Sequence, residues 1–128
     1  MDRPVRLTAL FLVCLVTLSG CAIPVKQVAL TSPMVPASGR SFVLAVDAQC
    51  APTTGGYSRT LRAGTRWELF GTLDRGDVFR SPDQALTVEG FNVHEAYIVV
   101  NGNELVGFFL PVEKTFTPAS KHVGLAMK

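Results

Sequence analysis

The residue types best suited to acid–base chemistry are concentrated between positions 89 and 95. The polar side chains of this segment are Glu89, Asn92, His94 and Glu95. Two carboxylates and a histidine can transfer protons or hold a metal ion. His94 and Glu95 are adjacent, however, so in a strand their side chains point to opposite faces. The only other histidine, His122, is near the C-terminus, and we therefore expect a solvated connection between strands and no metal site.

A second group of residues combines arginines with aromatic rings. Its members are Tyr57, Arg59, Arg62, Arg66 and Trp67. Guanidinium groups bind carboxylates and phosphates, and aromatic side chains are common at binding surfaces. The group is therefore a candidate site for an anionic lipid head group, a glycan or an acidic protein patch. The alternative is an ordinary charged rim that keeps a small domain soluble.

The sequence lacks the motifs of well-known catalytic chemistries. It contains no G-x-S-x-G, H-E-x-x-H or C-x-x-C pattern and no glycine-rich phosphate loop. We therefore expect neither enzymatic activity nor a cofactor. The formal net charge is only +2, so no strong field attracts nucleic acid, which we do not expect as a partner.

Short β-strands are the elements predicted to position these residues. Asn101-Gly102 lies between two apolar runs, residues 94–100 and 105–110, and this arrangement is a strong signal for a hairpin. Trp67 and Leu69 alternate with polar neighbours, as in a half-buried strand. No stretch has convincing helical periodicity. We expect an all-β fold, a small barrel or sandwich of five to seven short antiparallel strands.

Phe108 and Phe109 are consecutive in the second apolar run, so one ring faces each side of the sheet. One ring is expected to fill the core. The other, Phe109, is either covered by a loop or available to a partner, and it is the preferred interface residue.

Residues 61–71, LRAGTRWELFG, place a glycine turn before an alternating strand. In this respect the segment resembles the opening strand of bacterial SH3-like barrels. The resemblance covers about eleven residues and favours a barrel over a sandwich.

The N-terminal segment has the zones of a secretory signal. Arg3 and Arg6 precede an apolar run over residues 7–18, which is shorter than the ~20 residues needed to span a bilayer. Leu18-Ser19-Gly20-Cys21 then resembles the lipobox of bacterial lipoproteins. The resemblance implies that residues 1–20 are a cleaved signal helix and that Cys21 is lipidated, with two or three acyl chains as a stable anchor. Ala22 implies, by the sorting rule of that family, the periplasmic face of the outer membrane.

The remaining chain divides into a tether, a domain and a tail. Residues 21–40 are rich in proline and predict a flexible tether, although Val25–Leu30 is apolar enough to add a strand or short helix instead. Residues 41–120 are predicted to form the β domain, and residues 121–128 a flexible tail. With Cys14 removed and Cys21 lipidated, Cys50 has no partner for an internal disulfide; we expect it to be buried, the alternatives being an intermolecular disulfide or a reactive thiol.

These observations predict a lipoprotein anchored in the outer membrane by its N-terminal lipid. Its β domain is expected to bind another envelope protein, for example as an accessory of a secretion, conjugation or envelope-assembly machine. The alternative is a module that binds lipid, glycan or peptidoglycan. The sequence contains no indication of the oligomeric state.

Overall fold

The computed structural model describes residues 24–53 and 57–128. The predicted signal helix and the predicted lipidation site at Cys21 lie outside these residues. Within them the chain forms twelve strands and no helix, and the all-β class predicted from the sequence is confirmed. The strands are β1 (Val28–Ala29), β2 (Val35–Pro36), β3 (Ser41–Val43), β4 (Ala48–Cys50), β5 (Arg59–Leu61), β6 (Arg66–Leu73), β7 (Gly76–Arg80), β8 (Thr87–Glu89), β9 (Val93–Glu95), β10 (Tyr97–Asn101), β11 (Glu104–Leu110) and β12 (Thr115–Gly124).

Eight of these strands form one antiparallel sheet that curls into a half-barrel. Its strand order is β1-β12-β11-β10-β7-β6-β2, and β3 also pairs with β6. Two hairpins, β4–β5 and β8–β9, form separate two-stranded sheets. Seven of the twelve strands have only two or three residues, too few to show the alternation that reveals a strand in a sequence. The sequence therefore predicted fewer strands than the structure contains.

The hairpin predicted at Asn101-Gly102 joins β10 to β11 as expected. Asn101 lies opposite Glu104, and Gly102 has a φ of 66°, which glycine adopts without the strain that a side chain would cause. Gly107 on β11 has a different role. A Cβ atom at this position would overlap the ring of Phe116 on β12, so glycine permits this ring to lie directly over the neighbouring strand.

The main sheet buries apolar side chains on both faces. The larger cluster includes Phe42, Leu44, Leu61, Trp67, Ile98, Phe108 and Leu110, and we call its side of the sheet the core face. The smaller cluster consists of Val78, Val99, Phe109 and Phe116, and we call its side the groove face. Consecutive residues such as Ile98 and Val99 belong to different clusters, because side chains alternate along a strand.

Residues 24–40, which we call the N-terminal segment from here on, cross the groove face from one end of the strand order to the other. β1 pairs with β12 at Ala29, and β2 pairs with β6 at Val35. In a flat sheet these two outer strands would be about 29 Å apart, at about 4.8 Å for each of six steps. The chain from Ala29 to Val35 reaches at most about 22 Å. The sheet therefore has to curl toward the groove face for this connection to close.

Here the structure differs from the flexible tether predicted for residues 21–40. From Pro24 onward the segment lies on the domain: Val25 is buried, and Val28, Leu30 and Met34 pack against the cluster of the groove face. The strand considered for Val25–Leu30 is the alternative that the structure supports. Without this segment the rings of Phe109 and Phe116 would be exposed to water. The segment packs on them because the burial of apolar surface is favourable.

The C-terminal residues 121–128 also differ from the flexible tail that the sequence predicted. β12 continues to Gly124, Leu125 is buried in the larger cluster, and Met127 bridges to Leu44. Lys128 donates its backbone N–H to the carbonyl of Val43 at 2.8 Å. The folded domain therefore extends beyond the predicted residues 41–120 at both ends.

Candidate functional site

A groove of about 740 Å³ opens between the N-terminal segment and the groove face of the sheet. Its apolar lining consists of Ala29, Leu30, Pro33, Met34, Phe70, Phe109 and Pro111. Its polar lining consists of Glu113, Lys114 and Thr115. A largely apolar cavity of this size, with a few polar groups at one end, has the character of a ligand-binding site.

Two aromatic rings, Phe70 and Phe109, line the groove, and neighbouring side chains fix their positions. Phe70 on β6 and Tyr97 on β10 meet edge to face with ring centroids 4.9 Å apart. The Tyr97 ring is tilted toward Phe109 on β11 at 6.5 Å, and the guanidinium of Arg80 lies over Phe70 at 5.1 Å. Such contacts fix the ring orientations. Tyr97, which contacts both rings, therefore joins the two aromatic residues of the groove floor, Phe70 and Phe109.

The polar end of the groove is the turn between β11 and β12, residues 111–114. Pro111 follows the last residue of β11, and Lys114 has a φ of 58°, a conformation that costs a non-glycine residue about 1–2 kcal/mol. The Lys114 N–H donates to the carbonyl of Leu110 at 2.8 Å. This closed turn places the side chains of Glu113 and Lys114 next to each other at the groove.

The carboxylate of Glu113 is hydrogen-bonded to a histidine on the β8–β9 hairpin. His94 Nδ1 lies 2.6 Å from Glu113 Oε1, and the His94 side chain is only 12% exposed. Burial by itself raises the pKa of Glu113, but the hydrogen bonds from His94 and from its own backbone N–H, with the charge of His94, lower the pKa overall. Glu113 therefore remains ionised at neutral pH. Because an ionised carboxylate only accepts hydrogen bonds, His94 Nδ1 is the donor.

Phe109, the predicted interface residue, forms part of the groove floor. The prediction that Phe108 and Phe109 face opposite sides is confirmed, since they belong to different clusters. An outward ring fully available to a partner is not observed: Phe109 is 3% exposed. The N-terminal segment, through Leu30 and Met34, covers this side of the sheet.

Trp67, predicted as a binding residue, is a core residue instead. It is 1% exposed, and its indole Nε1–H donates to Thr65 Oγ1 at 2.9 Å. The alternation of β6 directs this ring to the core face, and the hydroxyl of Thr65 satisfies the one polar atom that burial would leave unpaired. Trp67 therefore cannot contact a ligand at the surface.

The three arginines of the predicted basic site are each engaged by different neighbours. Their acceptors are Glu89 Oε1 for Arg59 at 3.0 Å, the Asp83 carbonyl for Arg62 at 3.2 Å, and Glu68 Oε1 for Arg66 at 3.4 Å. Tyr57 is 69% exposed and adjoins residues 54–56, which the structure does not describe. This arrangement matches the alternative of a charged rim more closely than a shared anion site.

The polar residues of positions 89–95 also separate. Glu89 pairs with Arg59, His94 with Glu113, and Glu95 accepts from the Tyr97 hydroxyl at 3.2 Å. Among residues 24–53 and 57–128, no three His, Cys, Asp or Glu side chains are grouped closely enough to hold a metal ion. His94 packs against Glu113 with little of its side chain exposed, rather than being solvated as the sequence predicts.

Cys50 on β4 is buried, with 3% exposure. Burial raises the pKa of its thiol to about 11, although the positive charge of Arg59 lowers it slightly. A small cleft of about 230 Å³ beside it is lined by Ser58, Ser120 and Lys121 among others, and by no histidine of the described chain. The thiol is therefore an inert core group at neutral pH.

Sequence reasoning missed the groove because its parts are far apart along the chain. The composition around Leu30, Pro33 and Met34 predicts a tether, and nothing in the sequence distinguishes Glu113. The apolar character of Val28-Ala29-Leu30 was the one available signal. The contact between His94 and Glu113, nineteen residues apart, has no signature in residue spacing.

Comparisons with known proteins do not identify a relative. No protein-family profile matches the chain, and neither the curated proteins nor the solved structures contain a significant match. In the part of the chain that the structure describes, no helix has the length and apolar character needed to cross a membrane.

Proposed function

We propose that the protein is a non-enzymatic lipoprotein of the bacterial envelope whose β domain binds the apolar part of an amphipathic ligand. The observation that carries this proposal is the groove, with aromatic floor, apolar walls and one polar end. Its volume lies within the range of about 300–1,000 Å³ that is usual for small-molecule sites. Among the functions considered from the sequence, this corresponds to the lipid-binding module.

The position of the predicted anchor supports a ligand from the membrane. Val25, four positions after Cys21, is buried in the domain. Four residue steps span at most about 14 Å. Lipid on Cys21 would therefore hold the domain next to the membrane surface, where amphipathic molecules are concentrated. Ala22 supports the periplasmic face of the outer membrane as the location.

Direct binding of a fatty acid tests the proposal. The chain from residue 21 carrying Cys21→Ser contains every described residue and lacks the lipid site. We expect native mass spectrometry to show one fatty acid bound per chain. Ala29→Trp, which places a large ring in the groove, should abolish this complex. Ala63→Trp, at an exposed turn, should preserve it.

The result that would contradict the proposal is equally direct. A chain whose circular dichroism shows a folded β domain, but which binds neither a fatty acid nor a monoacyl lipid with another head group at concentrations below micelle formation, has no lipid-binding groove. Equal binding by both tryptophan variants would place the ligand elsewhere on the domain.

A protein partner in the envelope is the second candidate function, and a different observation favours it. Phe91, Val93 and Val112 are 65%, 66% and 75% exposed. The first two lie on the β8–β9 hairpin and the third on the turn that His94 joins to this hairpin through Glu113. Exposed apolar side chains grouped in this way are typical of contact surfaces. A secretion, conjugation or envelope-assembly machine is the kind of partner that a membrane-anchored accessory would serve.

Crosslinking in cells tests the second function. A photoreactive residue at position 91 should capture a specific envelope protein, and one at the exposed position of Thr60 should not. Cys21→Ala, which removes the proposed anchor, should reduce the capture. Equal capture from both positions would show that the contact does not depend on the β8–β9 hairpin.

A further inference from the structure

The polar end of the groove contains a carboxylate with unused hydrogen-bonding capacity. Glu113 Oε1 accepts from His94, but Oε2 is buried and has no hydrogen-bond partner among the described residues. A carboxylate offers about four acceptor positions, and leaving a buried one unpaired is costly. The final torsion of a glutamate side chain is soft, so a small rotation can present either oxygen to the groove.

The carboxylate favours a positively charged donor over a neutral one. His94 holds the pKa of Glu113 below its ordinary value against the opposing effect of burial, so the group carries a full negative charge at neutral pH. A cationic donor adds a coulombic attraction to the hydrogen bond that the ionised carboxylate accepts, and a neutral donor does not. The apolar surroundings of the groove strengthen this preference because they screen charge poorly.

A positive group stands beside this carboxylate. Lys114 follows Glu113 in the same closed turn, lines the groove and is exposed to solvent. The end of the groove therefore combines the negative charge of the half-buried Glu113 with the positive charge of the exposed Lys114. Pro111 and Leu30 belong to the apolar lining of the same groove.

We propose that the ligand of the groove is an amphiphile with a zwitterionic aminophosphate head group. Its protonated amine binds the carboxylate of Glu113, its phosphate lies at Lys114, and its acyl chain lies along Phe109 and Met34. This assignment rests on the proposed lipid-binding function and names the head group that the site selects. Charge complementarity at the turn is what distinguishes this ligand from a simple fatty acid.

Three ligands with the same acyl chain separate the contributions of head group and chain. They are lysophosphatidylethanolamine, lysophosphatidylglycerol and a monoacylglycerol, each used below its critical micelle concentration with the Cys21→Ser chain from residue 21. Loss of a charge-assisted hydrogen bond weakens binding about tenfold or more. We therefore expect calorimetric titration to show about tenfold tighter binding of lysophosphatidylethanolamine than of lysophosphatidylglycerol.

Two glutamate variants assign this preference to the groove. Glu113→Gln keeps the shape of the side chain and removes its charge, so we expect the tenfold preference to disappear. Glu104→Gln is the matched control, because Glu104 also faces a histidine, His122 at 3.4 Å, but is exposed and does not line the groove. The preference should be unchanged in this control. Thermal unfolding of each variant confirms that the domain remains folded.

The possible failures are distinguishable. If none of the three lipids binds to the folded chain, the proposed function and this inference both fail. If all three bind with equal affinity, lipid binding stands and the head-group assignment is overturned. If the ethanolamine preference persists in Glu113→Gln, the amine does not bind at Glu113 and the inference is likewise overturned.

Discussion

His94 Nδ1 and Glu113 Oε1 are 2.6 Å apart, and this hydrogen bond joins the β8–β9 hairpin to the turn between β11 and β12. The two elements belong to different sheets. The pair therefore connects a peripheral hairpin to the main sheet at the polar end of the groove. A single side-chain contact thus links the position of the hairpin to the ionisation of Glu113.

The first prediction concerns the pH dependence of stability. The pKa of Glu113 is lower in the folded chain than in the unfolded chain, where it is about 4.3. Its ionised form therefore stabilises the fold above the unfolded pKa, and this contribution is lost as the pH falls through the folded pKa. Urea unfolding of the wild type and of Glu113→Gln between pH 7 and pH 3 measures this contribution to the free energy of unfolding. The wild type should lose more stability than Glu113→Gln as the pH falls, and parallel curves would contradict the prediction.

The second prediction concerns the reactivity of Cys50. Because the pKa of this buried thiol is about 11, roughly one thiol in a thousand is ionised at pH 8. In the Cys21→Ser chain from residue 21, in which Cys50 is the one cysteine, we expect no labelling by a thiol reagent until denaturant unfolds the domain. Ser58→Cys supplies an exposed thiol nearby as the reactive control. Labelling of Cys50 at the control rate in native conditions would refute its burial.

The sequence predicts correctly those features that depend on residues close together along the chain. The Asn101-Gly102 turn and the opposite orientation of Phe108 and Phe109 follow from local geometry and alternation, and the structure agrees with both. These features depend on residues within a few positions of one another. They are therefore visible before any tertiary structure is known.

The groove could not be predicted because it depends on the curl of the sheet. Proline-rich residues 31–36 have the composition of a linker, yet they close the distance between β12 and β6 over an apolar face. Composition describes how stiff such a segment is and not which surface it meets. The nearby arginines likewise suggest a binding role for Trp67, whereas its ring lies in the core and its indole N–H donates to Thr65 Oγ1.

The third prediction tests the burial of both neighbouring phenylalanines. Phe108 and Phe109 are 1% and 3% exposed, so replacing either by alanine removes a packed ring. Each substitution should reduce the free energy of unfolding by about 3–5 kcal/mol. Phe91→Ala, at an exposed ring, should change it by less than about 0.5 kcal/mol. Denaturant titration provides all three values, and a small effect at Phe109 alone would indicate that its side of the sheet is not covered.

The fourth prediction tests whether the N-terminal segment is part of the folded domain. Leu30 packs against the cluster of the groove face, whereas Val35 in the same segment is 61% exposed. Leu30→Asp would place a charge against apolar side chains, which is strongly unfavourable, and should lower the thermal midpoint by several degrees, while Val35→Asp should have little effect. The Ala37 N–H donates to the Phe70 carbonyl at 3.1 Å, so hydrogen exchange should find it protected. A free tether would instead tolerate both aspartates equally and exchange its Ala37 amide at the rate of an unfolded peptide, because nothing in such a segment would contact the sheet.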